Sequence, residues 1–251
     1  MMIPQTAPCF EIDLPSMLPQ SNYAIETAID QMPRLFFGGI QTAVPTMRRI
    51  LVVGSSGSGK STLSRQLGGV LHVPVIHLDR HFWQAGWQET PSLEWQSRVR
   101  SLTAGEAWIM DGNYRSTLEM RLAVADTVVF LDLPRWLCVL QATKRRVQYA
   151  WKVRPDIASG CQERLFDPQY PQFVRRIWAY PHRARAQMLA RLVVVQKQKR
   201  VVHLTSQTAV SQFLADPWCY PAGLQRQPTD VAYRVDGSVG AQLAFDEGNF
   251  C

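Results

Sequence analysis

The residues best suited to chemistry form a glycine-rich loop between an apolar run and the start of a helical pattern. The loop reads G-x-x-x-x-G-K-S and, with the threonine after it, consists of Gly54, Ser55, Ser56, Gly57, Ser58, Gly59, Lys60, Ser61 and Thr62. Glycines let backbone N–H groups curl around a phosphate, and a helix start adds unpaired N–H donors. In this pattern the lysine contacts the β- and γ-phosphates, and the serine hydroxyl ligates Mg²⁺. The sequence therefore predicts a P-loop that binds a nucleoside triphosphate.

Aspartates follow three of the apolar runs that we interpret as strands. A P-loop site needs an acidic residue at the end of a strand beside the loop, where it supports the metal ion. Asp111 and Asp132 both have such a position, and Asp111 is favoured because Gly-Asn-Tyr-Arg follows it. Asp79 follows another apolar run, at the carboxyl edge where open α/β sheets bind ligands. An aspartate at that place could instead cap the next helix or turn.

Arginines flank a segment in which the regular pattern breaks. Residues 150–171 contain three prolines and a glycine, so we interpret this segment as a flap inserted over the site. The arginines on its two sides are Arg145, Arg146, Arg175, Arg176 and Arg183. Phosphoryl transfer requires cations around the γ-phosphoryl group, and we assign that role above all to Arg145 and Arg176. The alternative is a basic helix face exposed to solvent.

An aromatic cluster follows Asp79. Phe82, Trp83 and Trp87 lie within nine residues of that carboxylate. They could stack on a base or ring of the acceptor, or they could simply pack in the core. If they form a pocket with Asp79, the acceptor is a ring-containing alcohol or a nucleotide.

Strands alternate with helices along the middle of the chain. Apolar runs predict strands over 50–53, 73–78, 107–111, 127–132 and 199–205. Helices are expected from 62 onward and over 90–102, 134–146, 173–192 and 207–215. This alternation predicts right-handed crossovers and a parallel sheet covered on both faces. The expected fold class is α/β, a P-loop NTPase three-layer α/β/α sandwich with a five-stranded parallel sheet and a lid insertion between strands four and five.

The composition changes at both ends of this pattern. Residues 1–46 are rich in Pro, Gln and Thr without sustained periodicity, so we expect a disordered or dispensable extension, with Met47 as the native start. Residues 47–218 are expected to form the P-loop kinase-like domain. Residues 219–251 are rich in Gly, Pro and Gln, and we expect a poorly ordered tail there.

Charge, cysteine content and hydropathy restrict the classes of function. The net charge is +7, with most of the excess between Arg135 and Arg200, which suits a polyphosphate ligand or nucleic acid. The five cysteines include no C-x-x-C pair, which argues against a zinc site or a disulfide framework and fits a reducing cytoplasm. No apolar stretch is long enough to span a bilayer, so we expect no membrane partner.

Four stretches between about Arg48 and Pro217 carry a family resemblance. They are Gly54–Ser61, His77-Leu78-Asp79 with Trp83 and Trp87, Trp108–Arg115, and Asp126–Pro134. In these stretches the chain resembles the adenylate-kinase-like (nucleoside monophosphate kinase) branch of P-loop proteins. Within that branch it looks most like the small topology modulation (FlaR-like) proteins.

The resemblance implies roles for particular residues. Asp111 would hold Mg²⁺ through water, and Arg115 would face the acceptor's phosphate or another anionic group. In kinases similar to uridine or shikimate kinase, an aspartate at the place of Asp79 contacts the acceptor hydroxyl and can accept its proton. Adenylate kinases carry Asp-Gly-Phe-Pro-Arg where this chain has Asp-Gly-Asn-Tyr-Arg, a departure that leaves the acceptor open.

These patterns favour a phosphotransferase that uses ATP and Mg²⁺ and acts on a small acceptor. ATP is preferred over GTP because no Asn/Thr-Lys-x-Asp element for reading guanine is evident. A second hypothesis is a nucleotide-dependent DNA-binding protein that modulates topology, and the basic segment is its support. A third is an ATPase whose acceptor site has decayed.

Overall fold

A parallel sheet forms the centre of the structure. The computed structural model describes residues 47–150, 152, 154–161, 166–182 and 184–225. The strands of the sheet are β1 Arg49–Gly54, β2 Val75–His77, β5 Trp108–Asp111, β6 Thr127–Leu131 and β7 Arg200–Leu204. Two short strands, β3 Trp83–Gln84 and β4 Gln88–Glu89, form a separate antiparallel hairpin. The sheet order is β2-β5-β1-β6-β7, so the P-loop leaves from the middle strand.

Helices connect the strands and cover both faces of the sheet. They are α1 Lys60–Leu71, α2 Leu78–Phe82, α3 Ser92–Thr103, α4 Leu118–Val124, α5 Arg135–Tyr149, α6 Tyr170–Ala179, α7 Ala184–Val195 and α8 Gln207–Ala215. Short 3₁₀ turns lie at Arg115–Thr117 and Tyr180–His182. The segment containing α5, the flap, α6 and α7 lies between β6 and β7, the fourth and fifth strands of the sheet along the chain. The predicted fold class is confirmed.

Alternating side chains of the central strand build one core on each face of the sheet. Leu51 and Val53 join a cluster with Trp95 of α3 and Leu192 of α7. Ile50 and Val52 join another cluster, to which Leu63 and Leu67 of α1 and Phe213 of α8 contribute. Because β1 is buried from both sides, its position and the direction of the loop after it are fixed by apolar packing.

One predicted helix is wrong in its extent. The pattern over 173–192 predicted a single helix, but the structure contains α6 and α7 with the turn Tyr180–His182 between them. Pro181 lies within this turn. Proline lacks an N–H group and its ring clashes with the preceding helical turn, so an unbroken helix is unfavourable here.

The region around α2 also differs from expectation. The helix predicted over 90–102 begins later, at Ser92, with Pro91 at its N-cap position. The hydroxyl of Thr90 instead donates to the carbonyl of Phe82 at 2.5 Å. The hairpin of β3 and β4 between these residues was not predicted, because strands of two residues have no detectable period.

The predicted extension, residues 1–46, lies outside the described residues, as does most of the predicted tail. Met47 itself is buried in the core. Residues 219–225, which the sequence placed in the tail, pack against the end of the sheet. The Gly223 N–H donates to the carbonyl of Val201 at 2.7 Å, and Leu224 packs on the cluster that contains Val201.

Membrane-spanning helices were sought in the described ranges. None of the helices there combines the length and the apolar character that crossing a bilayer requires.

Candidate functional site

The P-loop is packed so closely that two of its positions require glycine. Gly57 has φ +77, and a Cβ there would lie 2.1 Å from the carbonyl oxygen of Cys138 in α5. A Cβ at Gly54 would lie 2.4 Å from the carbonyl oxygen of Leu131. The loop therefore packs against the end of β6 and against α5. At position 57 the positive φ favours glycine as well.

Lys60 lies at the start of α1 and turns back over the loop. Its ammonium group donates to the carbonyl oxygens of Gly54 at 3.0 Å and Ser55 at 2.9 Å. Burial lowers the pKa of Lys60, while the nearby carboxylates of Asp79 and Asp111 act in the opposite direction. The predicted phosphate-binding lysine is therefore within electrostatic range of two of the predicted aspartates.

The hydroxyl groups of the loop differ in exposure. Ser55 and Ser58 are buried, Ser56 and Ser61 are half-buried, and Thr62 is exposed. The buried Ser58 hydroxyl has no hydrogen-bond partner among the described residues. Ser61 lies in the first turn of α1, and Asp111 ends β5, the strand that pairs with β1. In the described part of the chain no cluster of three or more His, Cys, Asp or Glu side chains is suited to a metal ion.

Asp111 ends β5, which pairs directly with β1. Its carboxylate is buried and contacts Nδ1 of His77 at 3.0 and 3.1 Å. Burial lowers the pKa of His77, but the hydrogen bond and charge of Asp111 outweigh it, so the net shift is upward. His77 was part of the family-like stretch in the sequence, yet its contact with Asp111 spans 34 residues and had no local signal.

Asp79 lies in the first turn of α2, beside the end of β2. Burial raises the pKa of its carboxyl group, and the hydroxyl of Tyr114, which donates to Oδ1 at 2.8 Å, partly opposes this. Tyr114 packs in turn on Phe82 and Trp95. Phe82 therefore belongs to the core, whereas Trp83 is half-buried and Trp87 is exposed.

The loop after Asp111 is held by two residues that the sequence analysis did not single out as functional. Asn113 forms two hydrogen bonds with the backbone of Gly54, at 3.2 and 2.7 Å. The guanidinium of Arg121 is fully buried and donates to the carbonyls of Gly112, Asn113 and Tyr114, each at 2.8 Å. Burial lowers the pKa of Arg121 to about 9. An arginine among the apolar residues of α4 was the available signal.

Arg115 and Asp132, the other two predicted site residues near strand ends, differ in exposure. Arg115 is exposed at the start of its 3₁₀ turn. Asp132 follows β6 and is buried between two partners: Nε of Arg185 at 2.8 Å and Nε2 of His203 at 2.9 Å. Burial alone would raise the pKa of Asp132, but these hydrogen bonds outweigh it and lower the pKa. Its carboxylate is thus engaged by an arginine, unlike that of Asp111.

The described part of the flap contacts the hairpin. The N–H of Gly86 donates to the carbonyl of Gly160 at 3.2 Å. Arg154 and Asp156 form a buried ion pair at 2.7 Å. Burial raises the pKa of Asp79 and the charge of Arg154 opposes this shift, so the flap arginine lies within electrostatic reach of the carboxylate. The sequence analysis did not single out Arg154.

The flanking arginines have different environments. The positive charge of Arg145 adds to burial in lowering the pKa of Lys60, which places it near the P-loop. Arg146 is buried, 3.6 Å from Asp167 and stacked on Tyr170, so it joins α5 to α6. Arg175 and Arg176 are exposed on α6, and no hydrogen bond joins Arg176 to the P-loop in the described ranges. Arg183 lies outside the described residues.

Comparisons with known proteins give likenesses of structure. No protein-family model matches the chain, and no curated protein matches it. Shikimate kinase from Acinetobacter baumannii, solved in complex with shikimate, is 17% identical with a TM-score of 0.42, over 70% of this chain and 93% of that chain. Shikimate kinase from Bacteroides thetaiotaomicron is 17% identical with a TM-score of 0.40, over 67% and 94%. A gluconokinase from Sinorhizobium meliloti 1021 is 13% identical with a TM-score of 0.38, over 67% and 88%.

Proposed function

We propose that this chain is an ATP- and Mg²⁺-dependent kinase that phosphorylates a hydroxyl group of a small acceptor. The observation that carries the proposal is that the loop between β5 and α4 connects two carboxylates to the P-loop. The loop follows Asp111, its Asn113 donates to the carbonyl of Gly54 at 2.7 Å, and its Tyr114 donates to Asp79 at 2.8 Å. In this proposal Asp111 helps to hold Mg²⁺, and Asp79 contacts the acceptor hydroxyl. A site that only bound nucleotide would not need the second carboxylate, raised in pKa by burial, beside the loop.

The proposed reaction follows from these positions. The acceptor oxygen attacks the γ-phosphorus, the bond between that phosphorus and the β–γ bridging oxygen breaks, and ADP leaves. The proton of the acceptor hydroxyl passes to the carboxylate of Asp79. A pKa above the usual range makes Asp79 a stronger base, and Tyr114 fixes its orientation.

The cations of the site would bind charge on the transferred group. Lys60 and the loop N–H groups hold the β- and γ-phosphates, and Arg145 faces the same region from α5. Arg115 and Arg176 are exposed and are proposed to meet the acceptor and the γ-phosphoryl group respectively. Ser61 and Asp111 would hold Mg²⁺, which in such enzymes neutralises charge on the phosphates.

The alternative of DNA binding has less support from the arrangement of charge. Three arginines of the basic segment are largely buried and paired with carboxylates: Arg146 with Asp167, Arg154 with Asp156 and Arg185 with Asp132. Cations used in this way are not available to a phosphate backbone. The resemblance to topology modulation (FlaR-like) proteins, carried by the four stretches between about Arg48 and Pro217, is part of the proposal, and DNA contact is not.

The test is ADP production with ATP and Mg²⁺ across a panel of nucleosides, nucleoside monophosphates, sugars and ring-containing alcohols. We expect one acceptor class to raise turnover far above the acceptor-free rate and Lys60→Ala to abolish it. Asp79→Asn should lower the acceptor-dependent rate about 10²–10⁴-fold while ADP binding is kept. Acceptor-independent hydrolysis stimulated by DNA would overturn the kinase assignment.

A further inference from the structure

His77 and Asp111 are neighbours across the sheet at its carboxyl edge. They end β2 and β5, and the register of these two parallel strands pairs them directly. Because side chains alternate between the faces of a sheet, residues that are paired in register point to the same face. The strand pairing therefore brings the imidazole and the carboxylate together, and the pairing of β5 with the central strand β1 fixes them relative to the P-loop.

The imidazole lies in the fork of the carboxylate. Nδ1 of His77 is 3.1 Å from Oδ1 and 3.0 Å from Oδ2 of Asp111. A carboxylate only accepts hydrogen bonds, so Nδ1 carries the proton and donates to both oxygens. In the part of the chain that the structure describes, the Asp111 carboxylate has no other hydrogen bond, although its side chain is only 5% exposed.

This arrangement restricts how Asp111 can serve a metal ion. An ion chelated by both oxygens would have to lie in the fork, and the imidazole occupies that place. An ionised carboxylate has about four lone-pair sites, so both oxygens keep acceptor capacity for further donors. The water molecules that Mg²⁺ retains when it binds to a protein are donors of this kind.

We propose that His77 is a positioning residue of the metal site that acts through Asp111. Its Nδ1–H group fixes the orientation of the carboxylate and leaves both oxygens able to accept hydrogen bonds from water bound to Mg²⁺. The inference rests on the proposed function in one respect, the assignment of Asp111 to the metal, and does not depend on the identity of the acceptor. Loss of a hydrogen-bond partner of this kind typically lowers metal affinity about 10–100-fold.

The test measures how much Mg²⁺ increases the affinity for nucleotide. The full chain is titrated with the β,γ-imido analogue of ATP by calorimetry, once with Mg²⁺ and once with EDTA, and the ratio of the two affinities is the readout. His77→Phe keeps an aromatic ring but has no donor. The ratio should fall about tenfold in this variant, while the affinity in EDTA stays within about twofold of the wild type.

Two amides of different length locate the donor. His77→Asn carries an N–H group close to the position of Nδ1 and should restore most of the ratio. His77→Gln carries its N–H group further out, near the position of Nε2, and should not. His81→Phe is the matched control, because it makes the same change in α2 at a side chain that forms no hydrogen bond within the described ranges. It should leave both affinities unchanged.

The outcomes separate this inference from the proposed function. A wild-type ratio in His77→Phe would overturn the inference, and so would equal losses of affinity in Mg²⁺ and EDTA, since His77 would then only stabilise the site. Equal restoration by His77→Asn and His77→Gln would overturn it as well. If His77→Phe does not fold, as judged by circular dichroism, the comparison of the two amides decides. A wild-type protein that binds the analogue equally well in Mg²⁺ and EDTA would overturn the metal assignment and this inference with it, and one that does not bind would overturn the nucleotide site.

Discussion

Tyr114 is hydrogen-bonded to Asp79, and its hydroxyl can be removed to change the pKa of Asp79 without disturbing the packing of the ring. The phenol donates to Asp79 at 2.8 Å and opposes the upward shift that burial causes in the pKa of this carboxyl group. The ring of Tyr114 packs on Phe82 and Trp95, and a phenylalanine would preserve that packing. The two functions of the tyrosine, packing and hydrogen bonding, can therefore be separated.

Tyr114→Phe should raise the pKa of Asp79 further. Since a general base must be deprotonated to act, activity falls as the pH drops through this pKa, and the acid limb of the pH–rate profile should move to higher pH. A hydrogen bond worth about 0.5–1.5 kcal/mol corresponds to a shift of roughly 0.4–1 pH unit. The profile of kcat/KM against pH measures this shift, and Tyr220→Phe, in the C-terminal segment, is the control. An unmoved acid limb would remove Asp79 from the role of base.

At the scale of elements, the loop between β5 and α4 joins the two halves of the candidate site. In this loop, Asn113 bonds Gly54 of the P-loop, and Tyr114 bonds Asp79. Arg121 of α4 donates to the backbone carbonyls of the loop. The P-loop was predictable because all its residues are consecutive and each has a local chemical reason. Asn113 and His77 act through partners 59 and 34 residues away, and Arg121 through backbone carbonyls seven to nine residues away. A single sequence does not indicate which separated residues will meet.

The same distinction explains the success and the errors in the fold. Strands β1, β5, β6 and β7 were predicted from apolar runs, because a strand buried on both faces is marked by its own composition. The break at Tyr180–His182 was missed although Pro181 lies in it, because the apolar period continues on both sides. The β3–β4 hairpin, which contacts the flap through Gly86, was missed because its two-residue strands have no period of their own.

The contact between flap and hairpin can be tested with a pair of glycines. Gly160 has φ +88 and a Cβ there would lie 2.9 Å from Cβ of Ala85, whereas Gly86 has φ +75 and open space around the added atom. Alanine at either position carries the strain of a left-handed backbone, roughly 1–2 kcal/mol, but only Gly160→Ala also pushes the flap from the hairpin. We expect trypsin to cleave after the exposed Lys152 several-fold faster in Gly160→Ala than in Gly86→Ala. Equal cleavage rates would contradict this contact.

Asp132 joins three elements, since it follows β6 and bonds Arg185 of α7 and His203 of β7. Asp132→Asn should lower the free energy of unfolding by about 3 kcal/mol at neutral pH, because the half-buried Arg185 loses the charge of a buried carboxylate. The pKa of Asp132 is lower in the folded state, so its contribution is fully present above the unfolded value of about 3.9 and is lost as the pH falls through the folded pKa.

Urea denaturation of the wild type and Asp132→Asn at several pH values checks this dependence. The difference in unfolding free energy should be constant between about pH 5 and 8 and should shrink below about pH 4. Asp167→Asn, at a half-exposed carboxylate paired with Arg146 at 3.6 Å, is the matched control and should cost less than about 1 kcal/mol. A difference that persisted undiminished into acid would contradict the role of the Asp132 charge.

At the scale of the whole molecule, residues 219–225 pack against β7 and form part of the folded domain. The N–H of Gln225 donates to Nδ1 of His203 at 3.0 Å, so the proton of this imidazole lies on Nε2, which donates to Asp132. The segment 219–225 therefore helps to determine which ring nitrogen of His203 carries the proton. Composition gave no sign of this, because Gly, Pro and Gln are typical of tails.

A chain of residues 47–225 should consequently be more stable than one of residues 47–218. The shorter chain loses the hydrogen bond from Gly223 to Val201, the bond from Gln225 to His203 and the packing of Leu224. At about 1 kcal/mol for each hydrogen bond and a similar contribution from a half-buried leucine, we expect a loss of about 2–4 kcal/mol. Urea denaturation compares the two chains, with the full chain as reference. Equal unfolding free energies would place the end of the folded domain at Trp218, and a loss abolished by His203→Ala would assign it to the imidazole alone.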